Sequence, residues 1–272
     1  MKFWEMVYFS SPGWLMVLAL ALGWAWTRLE RRRPSRRTPF VPWGGFDVLV
    51  AAFAYLTLMV LAVFVLSPWF KQVAGKAGWA ESAATAIPGI GTAVVILVLL
   101  YHRYGLWARD LGLTFGRWGR DLLLALTLFS IVLGVRAPMA IGFHQLHEVF
   151  HKELKQQELV EEMKSGAPTE LAFIAFMALA LAPFYEEILF RGYLQPALGR
   201  VFRPWIAILI VAAAFSMLHS PTSAFLMTPI MIFPLALALG YAYHRTGRLA
   251  APLMIHLMNN SLAVVAILSK RT

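Results

Sequence analysis

Residues 169–199 read TELAFIAFMALALAPFYEEILFRGYLQPALG. The run is long enough to cross a bilayer, which takes ~20 mostly apolar residues. Yet it holds an adjacent carboxylate pair, Glu186 and Glu187, with Arg191 one helical turn beyond. Ionisable groups inside such a segment are costly, and they mark a functional site by default. Glu187 and Arg191 stand at i,i+4, so they can pair on one helical face. Glu186 points about 100° away, so the two carboxylates cannot share Arg191 with equal geometry.

This segment is one of eight. Apolar stretches run over Pro12–Trp26, Phe46–Phe70, Ile87–Tyr101, Leu122–Phe143, Thr169–Gly199, Pro204–His219, Phe225–Tyr243 and Leu249–Leu268. The whole chain of 272 residues is 60% hydrophobic and 14% charged, against about half and a quarter in ordinary globular domains. Mean hydropathy is +0.66. These values exclude a disordered chain, a coiled coil and an ordinary soluble domain. They predict an all-α polytopic membrane bundle of about eight transmembrane helices. Cysteine is absent, which removes disulfides, thiolate metal ligands and a cysteine nucleophile.

The formal net charge is +10, and its distribution reads as topology rather than nucleic-acid binding. Fifteen of the 24 Lys and Arg fall after the first, third, fifth and seventh segments, led by the cluster Arg28–Arg37. The other nine fall at the opposite ends. Positive loops stay in the cytoplasm, so both termini are expected outside it, in a multi-pass protein of the cell membrane. The first segment reads as an anchor and not a signal peptide, because its Arg cluster follows the apolar run. No nucleic-acid partner is expected. Between the fourth and fifth segments, Phe143, Leu146, Phe150 and Leu154 recur at helical spacing among Lys, Glu and Gln. That pattern predicts an amphipathic helix on the membrane surface. The chain thus divides into residues 1–143 with four spans, the surface helix 144–168, and residues 169–272 with four more.

Polar residues recur at matching depth in the last four segments. The sixth ends FSMLH with His219, and the eighth contains HLMNN with His256, Asn259 and Asn260. Counted from the turn near Val201–Phe202, Glu186 and His219 both lie roughly 23–26 Å away at ~1.5 Å per residue. Counted from the turn near Thr246–Gly247, His256 and Asn260 lie roughly 14 and 20 Å away. Three helices therefore bring Glu, His and Asn to similar depth, with ordinary tilt absorbing the rest. Hydrogen-bonded helix contacts alone can explain a single such residue, but they explain the matched set poorly.

The ordered motifs EEILFR (Glu186–Arg191), FSMLH (Phe215–His219) and HLMNN (His256–Asn260), with the lead-in TGRLAAPLMIHLMNNS, resemble the CPBP family of CAAX proteases and bacteriocin-processing enzymes. That family includes the type II CAAX prenyl endopeptidases. The resemblance spans Thr169–Leu268; the first four segments carry no specific motif. It implies an intramembrane endopeptidase that cuts membrane-associated peptides or proteins with an activated water. It implies Glu186 as general base, His219 as the group that holds or activates the water, and His256 and Asn260 as oxyanion stabilisers. Glu187 and Arg191 would orient the site. The family is described both as metal-independent and as metal-dependent; no cofactor is expected here, with a divalent ion such as zinc as the alternative.

A second motif competes. His147–Glu148–Val149–Phe150–His151 spells HExxH, which in zinc proteases sets two His on one helical face with Glu as base. It lies in the predicted surface helix and has no obvious third ligand beyond Glu170. The remaining alternatives are a non-catalytic membrane protein of the same fold, in an immunity or scaffold role, and a transporter. A transporter would be expected to show paired inverted repeats, and none is evident.

Overall fold

The computed structural model describes residues 12–32, 41–66, 68–69, 79–150, 168–219 and 227–269, and regular structure among them is helical throughout. Eight principal helices succeed one another: α1 Pro12–Arg32, α2 Gly45–Leu66, α3 Trp79–Tyr104, α4 Trp118–Phe150, α5 over residues 168–198, α6 Pro204–Leu218, α7 Met227–Thr246 and α8 Ala250–Leu268. Each matches one apolar segment. Among the described residues five helical spans are long and apolar enough to cross a membrane: Gly45–Leu66, Ala86–Tyr104, Trp118–Phe143, Leu171–Leu198 and Met227–Thr246. Pro204–Leu218 and Ala250–Ala266 are shorter apolar helices. The protein is a polytopic membrane helix bundle.

α4 packs against α1, α7 and α8, while α2 packs on α3, and α5 runs between the two groups. One apolar core joins α1, α4, α6, α7 and α8 around Leu124, Phe215, Leu239 and Ile255. A second joins α2, α3 and α5 around Trp43, Ile96, Ile188 and Tyr193. The outer face of α2 exposes Phe53 and Phe64 at 73% each, the surface expected against lipid. Residues 144–150 continue α4 without a break, so the start of the predicted surface helix is an extension of that span. The rest of that segment lies outside the described residues.

Two prolines shape α5. Pro183 has no N–H for the carbonyl four residues back, and a π-helical turn, Met177–Leu181, precedes it. Pro196 follows a second π segment, Ile188–Leu194, in the same way. A missing donor and a ring that crowds the i−4 carbonyl widen the helix, and π turns concentrate at functional sites. Glu186, Glu187 and Arg191 lie between the two prolines.

The loop ends fix helix depth. Gly112 adopts φ 92°, and a Cβ there would lie 2.6 Å from the carbonyl oxygen of Gly247. Leu249 N–H donates to the Gly112 carbonyl at 2.8 Å, and the Tyr243 hydroxyl donates to the Leu111 carbonyl at 3.1 Å. Arg248 pairs with Asp121. The α3–α4 connection is thereby latched to the α7–α8 turn. Trp43 Nε1–H donates to the Tyr193 carbonyl at 3.0 Å, and Arg200 donates to the carbonyls of Pro42 and Trp43 at 2.8 Å. The α1–α2 connection thus meets the α5–α6 connection.

Candidate active site

The ion pair read from the i,i+4 spacing is present and fully enclosed. Arg191 Nη1 lies 2.9 Å from Glu187 Oε1, and both side chains have 0% exposure. The guanidinium lies 4.3 Å over the Phe215 ring and reaches the Ala236 carbonyl at 3.4 Å. Phe215 in turn faces the His219 ring at 4.4 Å and the His256 ring edge-on at 5.8 Å. The aromatic position of the FxxxH motif is therefore the wall against which the cation and both imidazoles are set.

The two histidines are oriented by what their Nδ1 atoms touch. His256 Nδ1–H donates to Glu187 Oε1 at 2.9 Å, the oxygen that also takes Arg191. His219 Nδ1–H donates to the Phe215 carbonyl at 2.7 Å. The acceptors assign the proton to Nδ1 in both rings, and Nε2 is left facing away. Both Nε2 atoms face one atom, Glu186 Oε2, at 3.6 Å from His219 and 3.7 Å from His256. Glu186 Oε2 is buried and has no hydrogen-bond partner among the described residues. Both gaps exceed a hydrogen bond.

A cavity of about 520 Å³ opens onto this point. Its walls come from α2, α3, α5 and the end of α6, and Glu186 and His219 lie in its lining beside Tyr55, Tyr185 and Leu218. Tyr185 is packed against the backbone of α3, where a Cβ on Gly89 would sit 2.2 Å from its ring.

Asn260 hydrogen-bonds, among the described residues, to α5 and to its neighbour on α8. Its Nδ2 donates to the Ala178 carbonyl at 2.8 Å, in the first π turn of α5. Its Oδ1 accepts from Asn259 at 3.0 Å, and Asn259 accepts from Arg136 at 2.7 Å. This chain ties α4, α8 and α5 together one turn from His256. Arg136 lies within α4, inside the apolar segment Leu122–Phe143. Its partnership with Asn259 was hidden because nothing in the sequence pairs α4 with α8.

His219, His256 and Glu186 are metal-ligand types, and a carbonyl or carboxylate behind each imidazole is a familiar second partner. Their N–O spacings are wider than the ~3.3 Å between ligands at ~2.0 Å from a tetrahedral ion. Among the described residues no group of three or more His, Cys, Asp or Glu is arranged to hold a metal ion. The HExxH alternative falls outside the described residues: only the backbone of His147 to Phe150 is described, as the end of α4.

Residues 168–262 match the family model described as type II CAAX prenyl endopeptidase Rce1-like. That stretch holds Glu186, Glu187, Arg191, His219, His256 and Asn260, so the family resemblance read from the three motifs stands. No curated protein and no solved structure matches the chain. Residues 168–262 of this membrane bundle are therefore similar to a CAAX-type protease domain, a hydrolase.

Proposed function

We propose that the protein is an intramembrane endopeptidase that hydrolyses membrane-associated peptides or proteins with a water held by Glu186 and His219. The observation that carries this reading is the convergence of two imidazole Nε2 atoms on a buried Glu186 oxygen, without a hydrogen-bond partner among the described residues, at the wall of a cavity. A water there donates one proton towards Glu186 Oε2 and the other towards His219 Nε2. Glu186 takes the first proton as the water oxygen bonds to the scissile carbonyl carbon. The carbonyl becomes an oxyanion, and Glu186 then returns the proton to the leaving amine as the C–N bond breaks.

His256 and Asn260 are proposed to face the oxyanion. Glu187 holds His256 at Nδ1, which aims Nε2 into the site. Asn260 has a second amide N–H beyond the one given to Ala178. Donors that act on charge developing in the transition state contribute most to rate. Glu187 and Arg191 position His256. No step is assigned to a metal.

The proposed orientation puts the Arg-rich connections in the cytoplasm and both termini outside it, in the cell membrane. The decisive experiment is cleavage of membrane peptides by purified wild-type and Glu186→Gln protein. Retained turnover in Glu186→Gln would favour the HExxH centre instead, and no turnover in the wild-type protein would favour the non-catalytic scaffold.

A further inference from the structure

Among the described residues two buried hydroxyls have no hydrogen-bond partner, those of Thr92 and Ser216, and of the two only Thr92 lines the cavity beside Glu186. Inside a helix, Ser and Thr commonly satisfy the side chain by bonding back to the carbonyl four residues earlier. Thr127 does so to Leu123, Ser130 to Leu126 and Thr246 to Ala242, each at 2.8 Å. Thr92 does not. It is 3% exposed, and its Oγ1 has no hydrogen-bond partner among the described residues. It lies in α3 one turn after Pro88, and with Gly89 and Ile96 it lines the same cavity as Glu186 and His219.

A buried hydroxyl without a partner destabilises the fold. Its place in the wall of the cavity supplies the reason for retaining it. The neighbouring wall is aliphatic and aromatic, built from Ala51, Leu56, Leu189 and Leu218. An extended peptide bound against Glu186 would bring unpaired main-chain N–H and C=O groups into that apolar space, where each needs a partner. We infer that Thr92 Oγ1 is a substrate-positioning group, hydrogen-bonding a main-chain amide of the bound peptide next to the scissile bond. The role falls to α3, in the half of the chain where no motif was found. It rests on the proposed endopeptidase reading.

The test uses Thr92→Val, which keeps the shape and removes the hydroxyl, and Thr92→Ser, which keeps the hydroxyl. The probe is a fluorescent farnesylated CAAX peptide, with the full-length protein in liposomes. Binding is measured in a Glu186→Gln background, so that it does not depend on turnover. Thr92→Val is expected to weaken binding about five- to tenfold, the effect of one lost hydrogen bond. In the otherwise wild-type protein it should raise KM by a similar factor with little change in kcat. Thr92→Ser should recover most of the affinity. The peptide-free Thr92→Val protein should melt at or above the wild-type temperature, since no internal bond is lost. Unchanged peptide affinity in Thr92→Val overturns the inference, as does a melting point several degrees lower, which would mean that the hydroxyl serves the fold. Turnover that survives Glu186→Gln overturns the catalytic reading, while the binding comparison still decides Thr92. No binding of the peptide by any variant overturns both.

Discussion

Glu187 carries two partners on one oxygen: Arg191 at 2.9 Å and His256 at 2.9 Å. Glu187→Gln therefore breaks a buried ion pair and loosens an imidazole in one change. Removing one member of a buried pair costs ~3–5 kcal/mol, so a clear fall in melting temperature is expected, together with reduced turnover. Equal melting and turnover in the purified variant would contradict the enclosed pair. Glu186→Gln is expected to behave differently, because Oε2 has no hydrogen bond among the described residues to lose. It should keep the fold and lower the rate by ~10²–10⁴, the usual cost of a missing general base. His256→Ala and Asn260→Ala should each lower the rate by ~10²–10³ if both act on the oxyanion. His147→Ala and His151→Ala should be nearly silent. Turnover and bound zinc measured across these variants separate the Glu186 mechanism from the HExxH one. An inactive His151→Ala beside an active Glu186→Gln would sink the assignment.

At the scale of helices, two glycines hold the architecture through close approach. Gly89 lets α3 meet the Tyr185 ring, one residue before Glu186. Gly89→Ala must displace that ring, since a Cβ cannot sit 2.2 Å from a ring carbon. Overpacking of this kind typically costs ~1–3 kcal/mol, and the loss should appear in both melting and peptide turnover. Gly112 is a backbone requirement: its φ is 92°, and its contact is a carbonyl that cannot rotate away. Gly112→Ala should loosen the latch to the α7–α8 turn and lower the melting temperature, with strain of ~1–3 kcal/mol. A variant as stable as wild type would show that the latch is not needed.

At the scale of the molecule, the latches bear on topology. The charge pattern assigned four connections to one side from Arg content alone. The structure pairs them: α1–α2 with α5–α6 through Arg200 and Trp43, and α3–α4 with α7–α8 through Gly112 and Arg248. The α2 start and α3 end also meet, through Asp47 with Tyr104 at 3.0 Å and Arg103 at 3.0 Å. Reporter fusions after Arg37, Arg120 and Arg248 are expected to read cytoplasmic, and fusions after Lys76 and Lys164 external. A cytoplasmic reporter at Lys164 would overturn that orientation.

The sequence by itself determined the bundle, because hydropathy over ~20 residues answers a length set by the bilayer. It also determined the Glu187–Arg191 pair, because both residues lie on one helix at i,i+4, where local geometry suffices. The matched depths of Glu186, His219 and His256 followed from rise per residue. What only the tertiary structure decided is what each group touches. His256 holds Glu187, both Nε2 atoms face Glu186, and Asn260 reaches the widened turn of α5 at Ala178. The contribution of α2 and α3 to the cavity, and the unpartnered hydroxyl of Thr92 within it, left no trace in the sequence. These are contacts between helices distant along the chain, set by rotation and tilt about each axis. Apolar composition fixes that a helix lies in the membrane; packing against neighbours fixes which way it turns.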